Sequence, residues 1–168
     1  LYVKKDNDTN KVTSPVVQEM ATVDMGDWRS LVEFVRWGVA NYPAKRYFID
    51  VWNHGGGWHL QTLGGHLNPE RRLFHPTDIS WDDHTDHSIK TSELGQAMAE
   101  AAKIIGHKVD LYGSDACLMA MAEVSREMSE SVAYSVGSEE TEPGEGWPYS
   151  TLLRRWAAKP DVAAAEVA

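Results

Sequence analysis

Residues 46–57 read RYFIDVWNHGGG, a run of β-branched and aromatic residues that ends in three glycines. A short run of this composition is typical of a buried β-strand. His54 comes directly after the run, and the glycines behind it leave room for another backbone to approach closely. The stretch therefore predicts a strand whose carboxyl end presents an imidazole beside exposed backbone N–H groups.

A second strand end carries the only cysteine of the chain. Residues 109–117 read VDLYGSDAC, so a short β-rich run is followed at once by Ser114, Asp115 and Cys117. Functional sites of open parallel sheets gather beyond the carboxyl ends of the strands. His54 and Cys117 therefore become the first candidates for a shared site.

The remaining segments alternate between helical and strand periodicity. Apolar residues at positions i, i+3, i+4 and i+7 predict helices, and short β-rich runs predict strands. The helices are predicted over 28–41, 91–105, 118–128 and 150–158, and the strands over 46–52, 109–113 and 132–136. This alternation predicts an α/β fold with a mostly parallel sheet.

Residues 58–88 carry glycine, proline, aspartate and histidine without any sustained period. Connections of about thirty residues without secondary structure are unusual inside a compact domain, and those that occur are usually functional or mobile. We therefore expect residues 58–88 to form a long irregular loop between the strand before His54 and the helix before Cys117.

Composition excludes several classes of protein. The chain has 168 residues, of which 42% are hydrophobic and 24% are charged, as in one globular domain. A formal net charge of −9 opposes binding to nucleic acid and is compatible with a cationic ligand. No apolar run approaches the roughly 18 residues that a membrane-spanning helix needs. A single cysteine excludes an internal disulfide and a zinc site of several cysteines.

Cys117 allows two interpretations. A lone cysteine is most often a small buried hydrophobe. At a strand-to-helix turn, however, free backbone N–H groups and the helix dipole favour the thiolate, which is the nucleophilic form. Asp115 opposes the thiolate unless its charge is directed elsewhere, for example at a bound cation.

His54 also allows two interpretations. A thiol nucleophile needs a group that moves protons, and an imidazole at a neighbouring strand end is such a group. The N–H groups of residues 55–57 would then hold the negative oxygen that forms when a carbonyl is attacked. The same glycines are equally typical of a tight turn that His54 merely caps.

Residues 51–58 (VWNHGGGW) and 114–120 (SDACLMA) resemble the two catalytic blocks of the clostripain family of bacterial cysteine peptidases. The resemblance extends to residues 24–27 (DMGD) and 138–149 (SEETEPGEGWPY). It implies a caspase-like α/β fold, a three-layer sandwich with a mostly parallel sheet and helices on both faces. The apolar strand and Asp-Asn pair that the family places earlier are not found, so we expect residues 1–168 to be a single, partial domain that lacks its first strand.

The resemblance also implies a reaction and a set of roles. Family members hydrolyse peptide bonds after Arg or Lys. Cys117 corresponds to the nucleophile, His54 to its general acid/base partner, and Asp115 to the base of the pocket for the basic P1 side chain. The oxyanion is expected at the N–H groups of Gly55 and Cys117, by analogy with other oxyanion holes. The expected pocket wall is the segment 138–149, with Glu140, Glu145 and Trp147.

Processing and location follow from the resemblance alone. Family members are often activated by self-cleavage between the His and Cys blocks, and Arg72 is the site that we expect in the interval 58–90. The resemblance to this family further implies a secreted or periplasmic bacterial protein. Its partners would be peptides or proteins with a basic P1 residue, and the oligomeric state is left unassigned.

A metal site is the remaining question about cofactors. Asp82, Asp83 and Asp86 are hard oxygen ligands in a short acidic segment, and the resemblance adds calcium as the metal expected there. The neighbouring histidines also allow a zinc hydrolase, but their spacing matches no HExxH helix. The proposed cysteine chemistry itself requires no cofactor.

A function from another class stays open. An inactive or incomplete relative would recognise basic peptides without cleaving them. The presence of both Cys117 and His54 argues against such a binding module, whereas a missing first strand argues for it.

Overall fold

The computed structural model describes residues 1–8, 10–58 and 79–168, in which helices and strands alternate. The helices are α1 (Trp28–Asn41), α2 (Thr91–Ile105), α3 (Ala122–Met128), α4 (Tyr149–Ala158) and α5 (Ala164–Val167). The strands are β1 (Phe48–Trp52), β2 (Ile79–Asp82), β3 (His87–Ile89), β4 (Val109–Asp115) and β5 (Val132–Val136).

The main sheet has the order β1-β4-β5, and both pairings are parallel. The register of the first pair runs from Phe48 opposite Leu111 to Trp52 opposite Asp115. The predicted parallel sheet is therefore confirmed, and β1 and β4 end at the same edge. No strand precedes β1 within residues 1–8 and 10–47.

Local signals explain the bounds of the two long helices. Asp27 caps α1 by accepting a hydrogen bond from the Arg29 N–H group, as a side chain at this position does in many helices. In α2, the Glu93 side chain accepts from the backbone N–H of Lys90, and Gly106 ends the helix with a φ of 90°. Both helices lie where the apolar periodicity predicts them.

The core lies between the sheet and the first three helices. Four residues of α2 are completely buried, namely Leu94, Ala97, Met98 and Ala101, each 0% exposed. This helix contacts α1 and α3 on its sides and β4 beneath it. Its apolar stripe is therefore the element that joins the helical layer to the sheet.

Helices cover both faces of the sheet. Successive residues of a strand point to opposite faces. Ile49 belongs to the buried cluster around α2, whereas the ring of Phe48 lies 6.0 Å from the ring of Trp156 in α4. The helix α4 therefore packs on the face opposite α2, which gives the three layers expected from the resemblance.

The prediction that residues 58–88 are entirely irregular is wrong. Strands β2 and β3 pair as an antiparallel hairpin that begins at Ile79, inside this interval, and ends at Ile89, one residue beyond it. Asp82 closes the turn by accepting hydrogen bonds from the backbone N–H groups of His84 and Thr85. Strands of four and three residues are too short to show a clear period in the sequence.

The predicted helix 118–128 begins only at Ala122. Leu118 adopts a φ of 60°, and its N–H group donates to the Glu140 carbonyl at 3.0 Å. The Ala120 N–H group donates to the Ser138 carbonyl at 3.0 Å. These contacts hold residues 118–120 against the loop after β5, so Cys117 does not lie in the first turn of a helix and the expected support from a helix dipole is absent.

Candidate functional site

The site lies beyond the shared edge of β1 and β4. Trp52 and Asp115 are the last paired residues, and the Asn53 N–H group still donates to the Asp115 carbonyl at 3.3 Å. His54 and Cys117 each follow two residues after that pair. The parallel register therefore brings both sequence blocks to one edge of the sheet.

Glycines allow the two blocks to touch. A Cβ atom at Gly55 would lie 2.5 Å from the Cys117 carbonyl oxygen and 2.9 Å from the Ala116 Cβ atom, so only glycine fits here. Gly57 has a φ of 67°, and a Cβ atom there would lie 2.6 Å from the Met121 sulfur. The backbone after His54 is thus packed directly on the backbone around Cys117.

The hairpin that the sequence did not predict supports His54. The Ser80 N–H group donates to the His54 carbonyl at 3.3 Å, and Gly55 forms a bridge with Ile79. The Asn53 amide donates to the Trp81 carbonyl at 3.3 Å. Because the backbone of residues 54 and 55 and the side chain of Asn53 are bound to β2, the exposed His54 side chain extends from a fixed point of the chain.

Cys117 is partly exposed, and the segment 138–149 contacts its sulfur. The Glu142 N–H group donates to the Cys117 Sγ atom at 3.2 Å. A backbone N–H group directed at sulfur is a suitable donor for an anionic thiolate. The segment 138–149 therefore lies beside the thiol, and its role as the wall of a P1 pocket stays a prediction.

Asp115 is buried beneath the same segment, with 1% of its surface exposed. Its Oδ2 atom accepts hydrogen bonds from the Trp147 N–H group at 2.8 Å and the Tyr149 hydroxyl at 2.7 Å. Its Oδ1 atom is buried and has no hydrogen-bond partner among the described residues. Gly146, with a φ of 68°, passes so close to Oδ2 that a Cβ atom would not fit.

Asp50 and Tyr149 join this cluster, and the sequence analysis missed both. Asp50 lies on the same face of the sheet as Asp115, and its Oδ2 atom is 2.6 Å from the Tyr149 hydroxyl oxygen. Burial raises the pKa of Asp50, and the charge of Asp115 adds to this effect. Burial also raises the pKa of Tyr149, as do both carboxylates. An aspartate inside the apolar strand FIDVW is the signal that could have indicated the pair.

The other expected wall residues have separate places. Trp147 is partly buried, and its indole N–H group donates to the Glu142 carboxylate at 3.2 Å. Glu140 and Glu145 are exposed. Glu140 contributes its carbonyl to the Leu118 N–H group, so its backbone helps to shape the segment beside Cys117.

The three aspartates expected to bind calcium lie in or beside the hairpin turn. Asp82 uses both carboxylate oxygens for backbone N–H groups, including that of Met25, and Asp83 accepts from the Trp81 indole. Asp86 is exposed and has a φ of 61°. Across residues 1–8, 10–58 and 79–168, no group of three or more His, Cys, Asp or Glu side chains is arranged to hold a metal ion. The described donors thus do not fit a metal centre, and calcium binding stays a prediction.

Two further expectations concern the rest of the chain. Arg72, the expected self-cleavage site, lies outside the described residues. Among the helices of the described ranges, none combines the length and apolar character needed to cross a membrane.

Comparison with known sequences identifies relatives. The family model described as "Clostripain family" matches residues 2–168. Clostripain of Hathewaya histolytica is 33% identical over an alignment of 108 residues, and the match covers 61% of this chain and 18% of clostripain. The chain therefore spans less than a fifth of that relative.

Solved structures share the fold. A secreted C11 cysteine protease from Bacteroides thetaiotaomicron in complex with an irreversible peptide inhibitor superposes with a TM-score of 0.65 at 24% identity, over 96% of this chain and 42% of that one. An inactive zymogen C11 protease from Parabacteroides distasonis gives a TM-score of 0.60 at 20% identity, over 88% of this chain and 36% of that one. The caspase-like fold expected from the sequence is thereby confirmed, and with the family match over nearly the whole chain it places this protein in the clostripain family.

Proposed function

We propose that this chain forms the catalytic part of a cysteine endopeptidase that cleaves peptide bonds after Arg or Lys. Cys117 is the nucleophile and His54 the general acid/base. The observation that carries the proposal is the packing of Gly55 on the Cys117 carbonyl, because it brings the thiol block and the imidazole block together at one sheet edge. Membership of the clostripain family supports the same chemistry.

The reaction is an acyl transfer in two steps. The Cys117 thiolate attacks the carbonyl carbon after the basic residue, and the resulting oxyanion accepts hydrogen bonds from the N–H groups of Gly55 and Cys117. His54 donates its proton to the leaving amine, so the peptide bond breaks and a thioester remains. His54 then takes a proton from water, whose oxygen attacks the thioester and releases the acid and the thiol.

Asp115 recognises the basic P1 side chain in this proposal. Its Oδ1 atom is buried without a partner in the described part of the chain, and a guanidinium N–H group would supply the missing donor. Because only 1% of Asp115 is exposed, Gly146 and Trp147 must move for the ligand to reach it. Glu140, Glu145 and Trp147 form the wall of the opened pocket.

The wider context of the proposal comes from the relatives. The Bacteroides protein is a secreted protease, and we extend both that location and a bacterial origin to this protein as part of the proposal. The substrates are peptides or proteins with Arg or Lys at P1. Self-processing after Arg72 and a response to calcium belong to the same proposal.

Covalent labelling tests the proposed function. The full natural polypeptide is treated with a peptide electrophile that carries Arg at P1, and the modified residue is located by mass spectrometry. We expect one label per chain, on Cys117, and its loss in His54→Ala. His107→Ala is the matched control, because that exposed imidazole lies at the opposite end of β4.

If Cys117 is alkylated slowly, at a rate that does not depend on the P1 residue of the electrophile, the peptidase assignment is overturned and the binding module is favoured. A set of fluorogenic peptides that differ only at P1, each tested with and without calcium, then measures the preference for Arg or Lys. The same set tests the calcium prediction.

A further inference from the structure

Three oxygen atoms form a short chain beneath the segment 143–149. The Tyr149 hydroxyl oxygen lies 2.6 Å from Asp50 Oδ2 and 2.7 Å from Asp115 Oδ2. Both separations are typical of strong O–H···O hydrogen bonds. Each of them therefore needs a hydrogen atom between its two oxygens.

The number of hydrogen atoms available to these contacts decides whether Asp50 and Asp115 can both be ionised. A tyrosine hydroxyl carries one hydrogen, and an ionised carboxylate carries none. One hydrogen cannot fill two contacts of this length, so one of the two aspartates must be protonated. Two ionised carboxylates on one hydroxyl would also repel each other in a buried site.

The surroundings select Asp50 as the protonated partner. Asp115 Oδ2 accepts a second hydrogen bond, from the Trp147 N–H group, so this oxygen is placed as an acceptor toward the Tyr149 hydroxyl as well. Burial and the charge of Asp115 both raise the pKa of Asp50. Tyr112 also interacts electrostatically with Asp50, and it stays neutral because burial raises its pKa.

We propose that Asp50 is a positioning residue of the P1 pocket: a neutral carboxylic acid that donates to the Tyr149 hydroxyl, so that Tyr149 donates to Asp115 and holds it as the only anion of the cluster. This rests on the proposed function, in which Asp115 receives the basic side chain. The unpartnered and buried Asp115 Oδ1 atom then remains the acceptor for the ligand.

Asp50→Asn gives the sharpest test, because an amide donates a hydrogen bond as the neutral acid does but cannot ionise. In the full natural polypeptide, we expect kcat/KM for a P1-Arg peptide to stay within about twofold of the unmodified protein, because the donated hydrogen bond is kept. Asp50→Ala removes the donor, and we expect KM to rise about tenfold with a smaller change in kcat, since the buried Tyr149 hydroxyl loses a hydrogen-bond partner. Asp110→Asn is the matched control on β4, because its carboxylate lies near the start of that strand, where it accepts from the Tyr47 N–H group and faces His107 Nδ1 at 3.9 Å, away from Asp115 at the strand's end.

Infrared spectroscopy reports the proton independently of turnover. The unmodified protein should show a neutral carboxylic acid C=O band at neutral pH that disappears in Asp50→Asn and persists in Asp110→Asn. Absence of that band, or a loss of P1-Arg cleavage in Asp50→Asn as large as in Asp50→Ala, would overturn the proposal. If the unmodified protein cleaves no basic peptide, the proposed function fails while the band still reports the proton on Asp50.

Discussion

At the scale of single residues, the site depends on positions where no side chain fits. Gly55 lies against the Cys117 carbonyl, and Gly146 lies against the Asp115 carboxylate. Both glycines permit a close approach between segments that are far apart in the sequence. Substitutions at these positions should therefore change the rate of the proposed reaction more than they change the free energy of unfolding.

We expect Gly55→Ala to lower the rate of Cys117 labelling about 100-fold, because a methyl group that overlaps the carbonyl would shift the two blocks by about 1 Å. Gly38→Ala is the control: a Cβ atom there meets nothing within 4 Å, and helical alanine is favoured by about 1 kcal/mol. Labelling rates and urea unfolding of both variants check this. Unchanged labelling in Gly55→Ala would show that the contact does not set the geometry.

Asp115→Asn removes the anion proposed to bind the P1 side chain. We expect kcat/KM for Arg and Lys peptides to fall about 100-fold, as for the loss of one partner of a buried charge pair. The reaction of Cys117 with a small uncharged alkylating agent should persist, because the thiol itself is retained. An unaltered preference for Arg at P1 in this variant would disprove the pocket assignment.

Residue-level prediction from the sequence has a clear limit. His54 and Cys117 could be proposed from the sequence because each follows a recognisable strand end, and the structure places both strand ends at one edge of the sheet. Asp50 was missed because its role depends on the register of β1 with β4 and on Tyr149, which lies 99 positions away. Contacts over such a distance leave no local pattern.

At the scale of elements, the hairpin of β2 and β3 contacts both the residues just before α1 and the backbone of His54. Its Ser80 N–H group binds the His54 carbonyl, while His87 pairs with Asp24 through a contact of 2.5 Å between Nδ1 and Oδ2. The hydrogen bond to Asp24 raises the pKa of His87, and the charge of Asp24 adds to it.

This pair makes hairpin stability depend on pH. A folded-state pKa above the ordinary value of 6.5 means that the stabilisation is fully present below pH 6.5 and is lost as the pH rises through the raised value. We expect amide exchange in β2 and β3, corrected for intrinsic rates, to quicken across that interval. Asp24→Asn should flatten the dependence, and an equally steep dependence in that variant would contradict the assignment.

Prediction of elements succeeded where local signals were strong. The helices α1 and α2 have an aspartate cap or a glycine stop beside a regular apolar stripe. The helix predicted over 118–128 starts late because residues 118–120 bind the loop after β5 instead of forming their first turn. The apolar spacing of Leu118 and Met121 looks helical in sequence, and only the tertiary contact reveals otherwise.

At the scale of the whole molecule, the long interval between β1 and β2 separates the two site blocks. Cleavage within this interval would leave His54 and Cys117 on different fragments held by the sheet, since β1 and β4 pair along their length. A cut chain could thus retain the site geometry.

For this reason we expect self-cleavage after Arg72 to be compatible with activity. Arg72→Ala should remove the processed fragments on a denaturing gel, as should Cys117→Ala, while Arg71→Ala should keep them. Intact mass spectrometry identifies the new terminus. Fragments that persist in Cys117→Ala would show that another protease makes the cut.

In the proposed peptidase, the burial of Asp115 beneath Gly146 and Trp147 favours polypeptide substrates over free amino acids. A ligand that contacts only Asp115 must displace Gly146 and Trp147 without the help of other contacts. The free energy needed to open the pocket then lowers its apparent affinity. A longer polypeptide gains contacts elsewhere along the cleft that offset this displacement. Free arginine or lysine in the surroundings would accordingly compete poorly, and proteins would be attacked even where single basic amino acids are abundant.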